Sequence, residues 1–267
     1  MPDKRRNLAR PKPPKSRDGG GRWLYGRHAV AAALANPARR WRRLAVLATQ
    51  QEEGRALITA ARATHGGDGD PLRVLDRNGF AALLPEDAVH QGLALEVEAL
   101  EPPDLDDLLR GAAMAPRAVI VVLDQVSDPH NVGAILRAAA AFGAGGVIVA
   151  AHGAAPATGA LAKAASGALE LVPLVPVVNL ARALDQLKAA GFWCCGLDER
   201  AEKTLAALDL GQRVALVLGA EGDGLRRLVR ESCDYLVRLP TGPAMPSLNV
   251  STAAAVALYQ LASSQAL

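Results

Sequence analysis

The chain has 267 residues, half of them apolar, and a formal net charge of +3. That length supports one large or two ordinary domains, and that composition excludes a disordered or collagen-like chain. No apolar run approaches the roughly 20 residues needed to cross a bilayer, and the N-terminal charges are not followed by an apolar signal segment. The three cysteines, Cys194, Cys195 and Cys233, have no metal-ligand spacing, and no two of the five histidines form an HxxH or HxxxH pair. The sequence therefore predicts no metal site and no disulfide framework, and it points to a reducing, cytoplasmic compartment.

Charge is unevenly spread. Residues 1–22 hold eight Lys and Arg against two Asp, a net of +6, so the rest of the chain is net −3. This Pro- and Gly-rich tail is read as a disordered leader able to tether RNA phosphates. Order is expected from Trp23, with helical spacing over 29–34, a strand at 44–48, an Ala-rich helix over 52–64, a loop at 66–71, and short strands at 72–75 and 93–97. The result is a small α/β domain over 23–98. Within it, Arg39-Arg40-Trp41-Arg42-Arg43 sets four cations around an aromatic ring. This reads either as an RNA-phosphate site with a stacking side chain or as a solvated loop with Trp41 turned inward. Acidic residues and Pro102-Pro103 mark an expected linker over 99–115.

From residue 116 onward, strand-like runs at 118–123, 145–150, 172–178, 192–197, 214–218 and 235–239 alternate with helical spacing. The helices are expected at 131–142, 157–165, 180–190, 225–231 and 248–262. That alternation predicts an α/β domain with a mainly parallel sheet covered on both faces. Its first strand is not followed by G-x-G-x-x-G, and no GxxxxGK[ST] occurs, which disfavours dinucleotide and NTP chemistry.

Three segments carry residues suited to chemistry. Asp128-Pro129 is a helix start, with Asp as cap and Pro in the first turn. Asn131 and Arg137 follow on that helix, about 120° apart around it and roughly 9 Å along it, so helical geometry alone does not bring them to one point. Taken alone, Arg137 reads as a surface charge. Glu221 stands in Gly219-Ala220-Glu221-Gly222-Asp223-Gly224 at a strand's carboxyl end, where open α/β sheets bind ligands. The glycines allow close backbone approach. The same residues also make a tight turn bearing a solvated acid, with Asp223 as a helix cap. Ser247-Leu248-Asn249-Val250-Ser251 precedes an Ala-rich helix that Ser247 or Asn249 would cap.

In this order, the segments 128–137, 218–224 and 245–251 resemble the three motifs of the SpoU/TrmH family of RNA ribose 2′-O-methyltransferases, in the SPOUT superfamily. The resemblance implies S-adenosylmethionine as cofactor, a deep trefoil knot in the domain 116–267, and a homodimer with the site near the subunit interface. It makes Arg137 the first-choice catalytic residue. Attack of a ribose 2′-hydroxyl on a sulfonium methyl develops negative charge on oxygen, which a fixed guanidinium stabilises. With a pKa above about 12, arginine is a poor base, so a phosphate, a water or another group takes the proton. The resemblance has Asn131 position the hydroxyl or the arginine, Glu221 hold Arg137 or the ribose, and Ser247 and Asn249 complete the catalytic set. Leu218, Gly219, Leu239, Pro240 and Leu248 match the cofactor-contacting positions, largely through main-chain atoms and apolar packing on adenine.

Residues 23–98 resemble, through Leu24-Tyr25-Gly26-Arg27-His28-Ala29-Val30, the ribosomal-protein-L30e-like domain that binds substrate RNA in one branch of the family. Lys163-Ala164-Ala165-Ser166-Gly167-Ala168 resembles the stretch between the first and second motifs and is assigned no catalytic role. The chain departs from the family in the proline-rich loop 241–246 and in Thr252-Ala253-Ala254-Ala255, which replaces Val-Ala-x-Gly. The two-domain layout is most similar to the branch that modifies a guanosine of 23S rRNA. The alternatives are a tRNA 2′-O-methyltransferase and a thiopeptide-resistance type of 23S rRNA methyltransferase. A non-enzymatic RNA-binding module with an inactive cofactor site is the contrasting class, and retention of Asn131, Arg137, Glu221, Ser247 and Asn249 argues against it.

Overall fold

Seven short elements build the first unit of the computed structural model, which describes residues 22–66, 70–85, 88–151, 161, 164–242, 244 and 247–264. They are β1 (Arg22–Tyr25), α1 (Arg27–Ala35), β2 (Trp41–Leu47), α2 (Gln51–His65), β3 (Leu72–Leu75), α3 (Arg77–Ala81) and β4 (Leu93–Val97). The sheet order is β1-β4-β2-β3, with β4 antiparallel to both neighbours and β2 parallel to β3. Period-2 alternation divides the strands between two cores. Leu44 and Val46 pack with α1 and α2, whereas Ala45 faces Tyr25 and Phe80. Helix α3 was not expected. Five residues are too few for a periodic signal, and the helix starts because the Asp76 carboxylate accepts from the Gly79 N–H at 2.7 Å.

The expected linker holds helix α4 (Leu105–Ala113). Asp104 caps it and Asp107 closes a capping box. Its Leu105, Leu108 and Ala112 are buried against the second sheet. The amphipathic spacing was present in the sequence, but the prolines and acids around it dominated the reading.

The second unit comprises β5 (Ala118–Leu123), α5 (Pro129–Ala141), β6 (Gly146–Ala150), β7 (Leu174–Val177), α6 (Leu180–Ala189), β8 (Trp193–Leu197), β9 (Arg213–Leu218), α7 (Arg227–Glu231), β10 (Tyr235–Val237) and α8 (Val250–Ser263). All the described pairings in its sheet are parallel, in the order β10-β8-β9-β5-β6-β7. Both faces are covered. On β5, Val119, Val121 and Leu123 join the core under α5 and α8, while Ala118, Ile120 and Val122 join the core under α4 and α6. Most of the helix expected over 157–165, and the tail 1–21, lie outside the described residues. The strand order reverses direction at β5. The chain goes outward to β6 and β7, then crosses to β8 and returns as β9 beside β5. Open α/β sheets take their ligands in the crevice beyond such a switch point.

Candidate active site and cofactor cleft

Helix α5 leaves β5 at that crevice. Its start is the expected one: Asp128 caps by accepting from the His130 N–H at 2.9 Å, and Pro129 occupies the first turn. This places Asn131 at the mouth of the crevice. The loop after β9 brings Glu221 to the same point from the other strand. Glycine shapes that loop. A Cβ on Gly219 would lie 2.2 Å from the Gly224 carbonyl carbon, while Gly222 and Gly224 take φ of 85° and 68°. The Gly224 N–H closes the turn on the Ala220 carbonyl at 3.0 Å.

Three motif residues, far apart in the chain, meet here. Asn131 Nδ2 donates to Glu221 Oε1 at 3.2 Å, and Asn249 Nδ2 donates to the same oxygen at 2.5 Å. Asn249 Nδ2 also reaches Asn131 Oδ1 at 3.1 Å. Asn249 has a second task as the cap of α8, where its Oδ1 accepts from the Ser251 N–H at 2.9 Å and from Ser251 Oγ at 2.6 Å. Of the two residues expected to cap this helix, it is Asn249 that does so. Glu221 therefore sits against the N-terminus of a 14-residue helix, whose dipole favours a negative charge. Its described partners are all neutral amides, with no cation among them. Among the described residues no hydrogen bond reaches its Oε2.

Arg137 is elsewhere. It lies on α5, exposed, with no ion pair or hydrogen bond among the described residues. Of the two partners expected for Glu221, Arg137 is not the one it holds in the isolated chain.

Next to the cluster is a cleft of about 270 Å³, a little below the usual range of small-molecule sites, roughly 300–1,000 Å³. It lies beyond the carboxyl ends of β8, β9 and β10 and borders α8. Leu197, Leu239 and Leu248 give it apolar walls, and the 219–224 loop lines its other side, folded so tightly that Gly219 has no room for a Cβ. Leu218 and Ser247 also line it, whereas Pro240 is exposed and does not. Glu221 and Val250 border both the cleft and the cluster.

Asp124 was missed by the sequence reading. It is fully buried at the end of β5 and accepts from Arg226 Nε at 2.7 Å and from the Arg226 N–H at 2.8 Å. This pair pins the far end of the 219–226 loop to the central strand. The cap expected from Asp223 does not form: Arg226 stands at the N-cap of α7, with no side-chain cap hydrogen bond. An isolated acid after a strand carries no periodic signal that would have revealed it.

The basic cluster around Trp41 is largely neutralised. Arg39 pairs with Glu170, Arg42 with Glu98 at 3.5 Å and Arg43 with Glu96 at 2.5 Å. Trp41 is half-buried and meets His65 edge-on. Trp41 packs inward as one of the two readings had it, but the expected solvated loop is not formed: Trp41 opens strand β2 and Arg39 is buried.

A parallel sheet with a cleft and a polar cluster beyond its strand ends is the layout in which α/β enzymes bind small molecules. Residues 118–259 match the SpoU rRNA methylase family, and residues 23–103 match the RNA 2′-O ribose methyltransferase substrate-binding domain. The chain belongs to the SpoU rRNA methylase family. The 23S rRNA (guanosine-2′-O-)-methyltransferase RlmB of Pseudomonas aeruginosa is 40% identical to it over 89% of this chain and 94% of that protein. An uncharacterized tRNA/rRNA methyltransferase of Synechocystis is 37% identical over 89% of this chain, which spans 61% of that longer protein. The SpoU methyltransferase AviRb from Streptomyces viridochromogenes, solved in complex with AdoMet, shares the fold with a TM-score of 0.74 at 23% identity. That match covers 92% of this chain and 91% of that one.

Proposed function

We propose that the chain transfers a methyl group from S-adenosylmethionine to the 2′-hydroxyl of a guanosine ribose in 23S rRNA. The observation that carries this reading is the shared wall between cleft and cluster. Glu221 belongs to both, so a molecule in the cleft and a hydroxyl at the carboxylate become neighbours. When bound, the cofactor supplies an electrophilic sulfonium methyl. Leu197, Leu239 and Leu248 offer apolar surface for its adenine, and the backbone from Gly219 offers polar main-chain groups.

Oε2 of Glu221, which no hydrogen bond reaches among the described residues, is suited to accept a hydrogen bond from a ribose hydroxyl and orient it, while Asn131 and Asn249 hold the carboxylate still. Arg137, away from the cluster within one chain, is exposed and unpaired among the described residues, so a subunit contact at α5 would leave its guanidinium available to stabilise charge developing on the attacking oxygen. The proton leaves to a phosphate, a water or another group, since neither amide nor guanidinium accepts it. Ser247, exposed on the cleft wall, belongs to the same catalytic set.

The homodimer, the trefoil knot and a cytoplasmic location are parts of the same proposal. Val256 and Tyr259 on α8 are 42% and 61% exposed, and Tyr259 meets Phe142 at the end of α5 with centroids 5.9 Å apart. This exposed apolar strip beside the α5 that carries Arg137 supports a subunit contact. Among the described residues no helix is long and apolar enough to cross a membrane.

The test is transfer of a labelled methyl group to unmodified 23S rRNA, mapped by resistance to alkaline cleavage, with Arg137→Ala in parallel. The expected result is label at one guanosine, reduced at least about 100-fold in the variant. Label in tRNA instead would overturn the substrate, and no label in any RNA would overturn the reaction.

A further inference from the structure

Glu170 lies outside the site and outside the three motifs, yet it is one of the most thoroughly satisfied carboxylates in the chain. Its side chain is 2% exposed and that of its partner Arg39 is 8% exposed. Arg39 closes a bidentate pair on it, with Nε donating to Oε2 at 3.1 Å and Nη2 donating to Oε1. Asn36 Nδ2 donates to Oε2 at 2.8 Å. The remaining reach of the guanidinium goes to the Glu98 carbonyl at 2.8 Å. Two parts of the N-terminal domain, the end of α1 and the approach to β2, thus converge on one carboxylate of the C-terminal domain, and the end of β4 holds the arginine in place.

Close backbone contact surrounds this pair. Gly167 takes φ 91°, and a Cβ there would lie 2.8 Å from Ala32 Cβ and 3.0 Å from the His28 carbonyl oxygen on α1. The short 168–170 turn that bears Glu170 touches both α1 and α5. Just before it, Ala164 lies against α5 so tightly that a Cβ on Gly133 would be 2.4 Å from the Ala164 Cβ. Gly133 is two residues from Asn131. A continuous packed path therefore runs from α1 through 164–170 to the helix that presents Asn131 to Glu221. Breaking one side of a buried pair leaves an uncompensated charge, so Glu170 and Arg39 fix the relative orientation of the two domains.

We propose that Glu170, through Arg39 and Asn36, is a positioning residue that sets which nucleotide of an RNA held by the N-terminal domain reaches the methyl-transfer site. This rests on the reading of the chain as an RNA ribose methyltransferase with an RNA-binding N-terminal domain. Neither Glu170 nor Arg39 touches the cleft or the Asn131–Glu221–Asn249 cluster, so disturbing the pair acts first on RNA placement and only weakly, through packing, on the chemistry.

The test compares full-length wild type and Glu170→Gln, which keeps shape and removes the charge. It measures KM for unmodified 23S rRNA, kcat at saturating RNA, S-adenosylmethionine affinity, and the map of methylated nucleotides. The expected result is an RNA KM raised about ten-fold with kcat and cofactor affinity unchanged, and label spread to nucleotides beside the target. Arg39→Lys, which keeps the charge but loses the bidentate pair, gives an intermediate KM and serves if the first variant fails to fold. Small-angle scattering of the same proteins, without RNA, is expected to show a broader spread of interdomain distances in the variants. Unchanged KM, nucleotide map and scattering in a folded variant overturn the proposal. A wild type that methylates no RNA overturns the parent reading instead, and scattering still decides whether Glu170 orients the domains.

Discussion

Two glutamates define two regions of this protein and are held in opposite ways. Glu170, at the seam between the domains, is buried, and its charge is cancelled by a bidentate arginine. Glu221, at the mouth of the sheet crevice, is exposed and is held by two asparagines and a backbone N–H. The seam needs a fixed geometry, and a buried ion pair supplies it only when every oxygen is satisfied. The site needs charge left over for a substrate, and neutral donors hold a carboxylate without cancelling it. The pattern of partners, more than the residue type, separates a carboxylate that holds structure from one that meets substrate.

The same Glu→Gln change at both places sharpens the comparison most. Glu221→Gln is expected to lower kcat by about 100-fold, because the missing charge acts on the ribose, with a smaller rise in the S-adenosylmethionine dissociation constant because Glu221 also borders the cleft. Glu170→Gln is expected to act on the RNA KM alone. Steady-state kinetics with RNA as the varied substrate separates the two, and equal falls in kcat at both positions would end the distinction.

A second test asks whether buried pairing protects the site loop. Asp124→Ala removes the anchor of Arg226, and stability is expected to fall by about 2 kcal/mol, read as the urea midpoint. Arg226 is half-exposed and turns to water when released, which keeps the loss below that of a fully buried pair. Cofactor affinity is expected to fall with it, since the 219–224 loop loses one of its two moorings. Gly133→Ala should follow. A methyl group 2.4 Å from Ala164 Cβ forces α5 and its neighbour apart at a cost of about 1–3 kcal/mol, and moves Asn131 off Glu221. If that variant keeps both its thermal midpoint and its kcat, the packed path from seam to site is not rigid.

The sequence made the residues of the site legible but not their meeting. Asn131, Glu221 and Asn249 each stood in a recognisable motif, yet Asn131 and Asn249 are 118 positions apart and Glu221 is 90 from Asn131. Their convergence depends on β9 lying beside β5, which alternation of strands and helices does not dictate. The parallel sheet itself was legible because β5, β6 and β9 are continuous apolar runs buried on both faces. The seam was not. Arg39 read as one of four cations in a basic stretch, and nothing local announced a carboxylate 131 residues away. The same local cues turned α4 into a linker, because tertiary burial of Leu105 and Leu108 outweighs the prolines that precede them.

The smallest expected effect concerns a second buried set, the three thiols. Cys194 and Cys195 are buried in β8, and Cys233 lies beside them under α7. Burial, with the nearby Asp234 charge adding to it, pushes all three up to about 12. An unfolded thiol ionises near pH 8.5, so the folded state binds these protons more tightly than the unfolded state does. The contribution to stability is therefore intact below about pH 8.5 and is lost as pH rises from there towards about 12. Since the thiolate is the reactive form, a thiol reagent at about pH 8 is expected to label the native protein slowly and all three cysteines quickly after unfolding. Rapid labelling of Cys194 or Cys195 in the native state would mean that β8, the strand beneath the cofactor cleft, opens more readily than the exposed loop it supports. Stability would then be arranged the opposite way from the contrast between Glu170 and Glu221.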